Sequence, residues 1–309
     1  MNRSDLRAET GFSLPELLIA TAVTMIVSGV VTTGLVQMSN AEKTIWNRTE
    51  MHSGVRSATE LLQQEVGQAG RVVLSGAPTL TAAVGTGSQT VPVSSTAGMF
   101  VNENVVVGAG SGTETVTLTA VNNATHSITA TFVLAHPAGS TVAAYGGFAS
   151  GIVPTNLANG STGGVLKMYG DINSDGNMVY VEYTCDTVNH FLYRNSMAWN
   201  AVSKPALTAA NILLENVQPN PGGAPCFTYD QQTVTSPAPV NTNTYVTNVA
   251  ITLTVQTQVI DPITRQFQTE TKALLNVAPR NIVNVWELVS QGSLSRFQAM
   301  PSSITNLLH

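Results

Sequence analysis

From Leu17 to Ala41 the chain carries no charged residue. As an α-helix this stretch, LLIATAVTMIVSGVVTTGLVQMSNA, would rise about 37 Å, more than the ~30 Å hydrocarbon core of a bilayer. The first expectation is therefore a membrane-crossing helix, and every other element has to follow it. Glu16 stands immediately before the run. A carboxylate at the edge of a spanning helix costs energy in lipid and usually implies a partner. Arg3 and Arg7 precede the run while Lys43 and Arg48 follow it, so flanking charge does not orient the helix.

Three explanations compete for this segment. A secretory signal peptide would place a small-residue cleavage site after the apolar core, and no A-x-A-like site stands out there. An ordinary anchor explains the length but not Glu16. The third rests on the residues Gly11-Phe12-Ser13-Leu14-Pro15-Glu16-Leu17-Leu18-Ile19-Ala20. This segment resembles the signal of type IV prepilins and pseudopilins, in which the cut precedes the apolar run.

The resemblance implies removal of a leader, residues 1–11, by a prepilin peptidase between Gly11 and Phe12, followed by N-methylation of Phe12. It also implies that Glu16 pairs with the N-terminal amine of a neighbouring subunit during assembly. The chemistry is coherent. Glu16 lies about one helical turn from the new amine, and a buried charge is tolerable when paired. Pro15 falls in the first turn, where a missing N–H costs little. Where major pilins often carry a helix-loosening proline within the run, this chain has Gly29 and Gly34.

The helical pattern continues beyond the membrane run, to about residue 70. Met51, Val55, Ala58, Leu62, Val66 and Ala69 recur at spacings of three and four and form one apolar stripe. The simplest use for the stripe is packing on a sheet; a filament contact is the alternative. Gly70 is well placed as the helix stop. The stretch V-R-S-A-x-x-L-L-x-x-E-x-x-Q-A-G resembles minor pilins of the PilW type and PulJ-type pseudopilins of type II secretion.

Residues 71–147 read as short strands (QTVPVSS, NVVVGAG, ETVTLTAV, SITATFVL, STVAAY) with Gly, Asn and Ser between them. They resemble small all-β modules of bacterial surface proteins. They are expected to form an inserted β-subdomain, or else to extend the main sheet. Residues 148–280 are expected to form a C-terminal β-sheet domain: VLKMYG, MVYVEYTCD and HFLYRN, a variable loop to about Pro239, then a hairpin turning at Asp261-Pro262. Residues 281–309 are expected to be an irregular tail. The fold class is thus α+β: a long membrane-spanning helix, then an antiparallel pilin-like head with an all-β insert.

Two smaller features bear on the head. Asp171, Asn173, Asp175, Gly176, Asn177 and Glu182 fit the twelve-position calcium-loop template at positions one, three, five, six, seven and twelve. The same residues also form ordinary β-turns. In an extended strand Glu182 can point away from the loop, leaving Asp186 as a replacement. Cys185 and Cys226 are the only two cysteines, so an exported head could hold one disulfide or two separate buried thiols.

Composition narrows the function classes. Charged residues make up 10% of the chain and the net charge is −5. With no Lys/Arg cluster, a nucleic-acid surface is disfavoured. Among catalytic signatures, G-x-S-x-G, the P-loop, H-E-x-x-H and C-x-x-C are all missing from the sequence. The expectation is a non-enzymatic subunit: a minor type IV pilin made as a single-pass inner-membrane precursor with a periplasmic head. It would then take its place among other pilins in a filament serving adhesion or twitching motility. The alternatives are a pseudopilin at a secretion piston tip and a pilus-borne adhesin module.

Overall fold

The structure is a computed structural model that describes residues 11–71, 73–235, 242–293 and 295–309. It is α+β, with one long N-terminal helix and antiparallel sheets. The expected leader lies outside the described residues, apart from Gly11. The chain divides into two units. One holds residues up to Glu50 together with Thr257–Gln268, and the other holds Met51–Gln256 and Thr269–His309.

Helix α1 runs unbroken from Leu14 to Gln68. It is long and apolar enough to cross a membrane by length and composition. Four threonines of its apolar run are satisfied within the helix. The Thr21, Thr24, Thr32 and Thr33 hydroxyls donate to carbonyls four residues back, at 3.0, 2.7, 2.8 and 2.8 Å. A hydroxyl so bonded can enter an apolar medium without stranding a donor. In the same unit, Thr257–Gln268 closes on itself through the bond from the Thr257 N–H to the Gln268 carbonyl, 2.8 Å. Asp261 Oδ1 accepts the N–H groups of Ile263 and Thr264 at 2.8 and 2.9 Å.

The second unit is built on the last turns of α1. Val55, Ala58, Leu62, Val66 and Ala69 are buried in the main core, so the stripe packs on the sheets. Each of the larger side chains contributes about 2 kcal/mol by leaving water.

Residues 74–142 enclose a separate buried cluster that includes Leu80, Val105, Leu118, Ile128 and Phe132. Its strands are β1 (Gly87–Pro92), β2 (Asn104–Val107), β3 (Glu114–Thr117), β4 (Ala120–Asn122), β5 (Ser127–Phe132) and β6 (Val142–Ala144). They form two three-stranded sheets, β1-β5-β4 and β3-β2-β6. The segment ETVTLTAV, which reads as one strand, breaks after Thr117 and serves both.

The remaining strands are β7 (Gly147–Phe148), β8 (Val165–Gly170), β9 (Val179–Asp186), β10 (Phe191–Ala198), β11 (Ile212–Glu215), β12 (Val217–Gln218), β13 (Phe227–Thr235), β14 (Thr242–Gln256), β15 (Thr269–Val277) and β16 (Phe297–Gln298). One sheet has the order β11-β10-β9-β8; in the other, β14 is flanked by β12 and β13 and also pairs with β15. All these pairings are antiparallel except the short β7–β16 pair.

Two expectations are corrected. The stretch expected to be a loop to Pro239 contains β11, β12 and β13. The composition of FTYDQQTVT hid a strand whose outward positions are polar. The expected irregular tail holds α2 (Arg280–Ser290) and α3 (Ser302–Leu307). Ile282, Val285 and Val289 of α2 enter the main core. Their spacing of three and four was a legible helix signal. Ile304 and Leu307 of α3 pack with Phe148, Tyr169 and Tyr180 in a third cluster.

Candidate functional site

The first group of expected site residues lies at the start of α1. The Ser13 carbonyl accepts the N–H groups of Glu16 and Leu17 at 3.0 and 3.1 Å, closing the first turn with Pro15 inside it. Gly11, Phe12 and Glu16 are exposed. Among the described residues Glu16 makes no ion pair.

The second group is split by the fold. Asp171 Oδ1 accepts the N–H groups of Asp175 and Gly176, both at 3.1 Å, and Asp175 Oδ1 accepts that of Asn177 at 2.8 Å. Asn173, Asp175 and Asn177 are exposed on this turn. Glu182 is elsewhere, on β9, where it faces Lys167 of β8 and Asn195 of β10 in register. Its carboxylate accepts the Tyr180 hydroxyl at 2.8 Å and pairs with Lys204 at 3.2 Å. Asp186 caps its own turn, accepting the N–H groups of Val188 and Asn189. Among the described residues no three His, Cys, Asp or Glu side chains gather as a metal-holding group. Glu182 therefore does not join Asp171 and Asp175.

Cys185, in β9, and Cys226, just before β13, are joined as a disulfide. It ties the β8–β11 sheet to the β12–β15 sheet. Closing a loop with a sequence separation of 41 restricts the unfolded chain by about 4 kcal/mol in the loop-entropy account.

Beyond the helix stop at Gly70, sequence reasoning assigned no role to the joint at the end of α1. Gly70 takes the left-handed conformation, φ +85°, and ends the helix as a C-terminal glycine does. The chain then turns Arg71 inward. Its guanidinium pairs with Glu103 and donates to the Gly98 carbonyl. It also lies 5.3 Å from the centre of the Phe148 ring and 6.0 Å from that of Phe100. Glu103 accepts the Phe100 N–H at 3.2 Å. An open pocket of about 590 Å³ borders this joint, lined in part by Gln64, Arg71, Asp171, Ser174 and Arg280.

Burial pushes the Glu103 carboxyl up to about 7, with Arg71 and the Phe100 N–H pulling against it. The folded chain therefore holds a proton that the unfolded chain releases at lower pH. Stability falls as pH rises from about 4.5 to about 7. Glu103→Gln should flatten that slope. Denaturant unfolding across the window should show the parent losing up to about 3 kcal/mol that the variant does not lose.

No protein-family model matches this chain, and no curated protein matches it.

Proposed function

We propose that this chain is a minor type IV pilin, a non-catalytic subunit that enters a filament through its N-terminal helix once the leader is removed after Gly11. The observation that supports this reading most is α1. Residues 11–39 are exposed throughout, and the run after Glu16 is uncharged, yet the last turns of the same helix are locked into a β-rich core. An exposed apolar stretch of this length needs lipid, or the helices of like subunits, to cover it. Glu16 stands one turn from the amine that cleavage would create, and a neighbouring subunit's amine supplies the counter-charge on assembly.

Before assembly the helix holds the chain in the inner membrane with its β-rich part in the periplasm. The prepilin peptidase and methyltransferase act on the chain. The segment 74–142, with its own buried cluster, enlarges the displayed part and favours a pilus subunit over a secretion piston tip.

Glu16→Ala should leave leader removal intact and cut the amount of chain recovered in sheared filaments at least tenfold. Immunoblots of filament and membrane fractions would measure this. Parental levels of the variant in filaments would refute the pairing.

A further inference from the structure

We propose that Thr257–Gln268, the tip between β14 and β15, is a membrane-surface element whose apolar side chains enter the headgroup–acyl boundary of the bilayer that α1 crosses. The inference rests on reading α1 as membrane-spanning. Val259, Ile260, Ile263 and Phe267 are all exposed within this one short loop. Loops between strands are ordinarily polar, and an isolated exposed apolar residue needs no explanation, but a cluster does.

The loop holds these side chains outward by satisfying its polar groups inward. Asp261 accepts two N–H groups of the turn. The Gln268 side chain donates to Asp261 and accepts from Arg48 of α1. The tip is therefore fastened to the helix at a definite height. Val259 and Ile260 share a pocket of about 460 Å³ with Ser39 and Trp46.

That height selects the occupant. The uncharged run from Leu17 to Ala41 rises about 37 Å, and a helix of that length fits a ~30 Å hydrocarbon core by tilting, so the tilted helix reaches the far edge of the core near Ala41. Trp46 lies about 7 Å further along the helix and is 68% exposed. Trp prefers this interfacial level, where an apolar body meets a polar rim. The apolar tip thus stands just beyond the lipid-covered run of α1, past Glu42 and Lys43, which line the same pocket, at the level where headgroups meet acyl chains; that level makes lipid its occupant. A second copy of the chain is the competing occupant.

Single cysteines at Ile260 and Ile263 would carry a nitrobenzoxadiazole label, with Cys185–Cys226 kept oxidised. Full-length chain would be reconstituted at low density in phosphatidylethanolamine/phosphatidylglycerol vesicles. Labels at Val27 and at Val202, the latter 97% exposed, serve as the lipid and water references. The labels at 260 and 263 should be quenched by nitroxide-bearing phospholipid and be at least fivefold less quenched by iodide than the label at 202. Iodide quenching equal to that at 202 would overturn the inference. Shielding that appears only at high protein density would assign the tip to a second copy and overturn it too. If the label at 27 also escapes the lipid quencher, the spanning reading itself fails; if 27 is quenched and 260 is not, only this inference fails.

Discussion

Glu65→Ala is expected to destabilise the protein by about 3–5 kcal/mol. Glu65 stands on the buried face of α1 at 4% exposure. Arg194 of β10 donates to Oε1 through Nε at 3.0 Å and Nη2 at 2.5 Å, and the Tyr183 hydroxyl of β9 donates to Oε2 at 2.5 Å. Burial, and then the Glu65 charge, hold the Tyr183 phenol above its ordinary pKa, so it remains a donor. The carboxylate thus fastens α1 to two adjacent strands. Truncation removes these bonds and leaves a partly buried guanidinium without its counter-charge. Denaturant unfolding of the full chain in detergent measures the loss. Arg194→Met in the Glu65→Ala background should recover part of it, because the orphaned charge is gone. A loss below 1 kcal/mol for Glu65→Ala would show that the cluster is not what holds the helix.

Gly170→Ala is expected to cost about 4 kcal/mol or to prevent folding. Gly170 ends β8 at φ +142°, and a Cβ there would stand 2.1 Å from the Gly70 carbonyl oxygen. Gly70 and Gly170 form a parallel bridge, and the Gly70 N–H donates to the Tyr169 carbonyl at 2.9 Å. The exit of α1 therefore lies directly on the backbone of β8, with Gly151 against its other side. Any side chain at Gly170 would have to push the exit away and with it Arg71, which fills the space above Phe148. The same unfolding assay, with Gly164→Ala as a comparison at a roomier site where a Cβ would come no nearer than 3.8 Å to the Cys185 carbonyl oxygen, distinguishes the clash from a general cost of replacing glycine.

Much of the framework was legible because it is periodic. The stripe from Val55 to Ala69 repeats at three and four, and a helix must bury such a face. Val105, Val107, Ile128 and Ala130 alternate along β2 and β5 as a half-buried strand does. Where the pattern was diluted the reading was weaker. β13 alternates in burial, but its outward residues are Asp, Gln and Thr, which also populate loops. The helix from Arg280 is short and follows a proline, so its signal rests on only three apolar residues at spacings of three and four.

The candidate site divides the same way. The Asp171 turn is local, and the residues that build it adjoin one another in the chain. Glu182 followed from a template that assumes a helical flank. In β9 the strand carries its side chain to Lys204 and Lys167 instead. The template counts positions along the chain, whereas ligation depends on where the pleat points each side chain.

The sequence by itself determined the long uncharged helix, the polar-to-apolar boundary at Glu16 and the helix stop at Gly70. Each of these is a property of consecutive residues. Only the tertiary structure decided that Arg71 finds Glu103, that Glu65 finds Arg194 and Tyr183, and that Cys185 finds Cys226. It also decided that Gly170 must be glycine and that an apolar hairpin tip is fastened to α1 beside Trp46. Those facts depend on backbones that meet from distant parts of the chain, and close packing, not local propensity, sets which of them can touch.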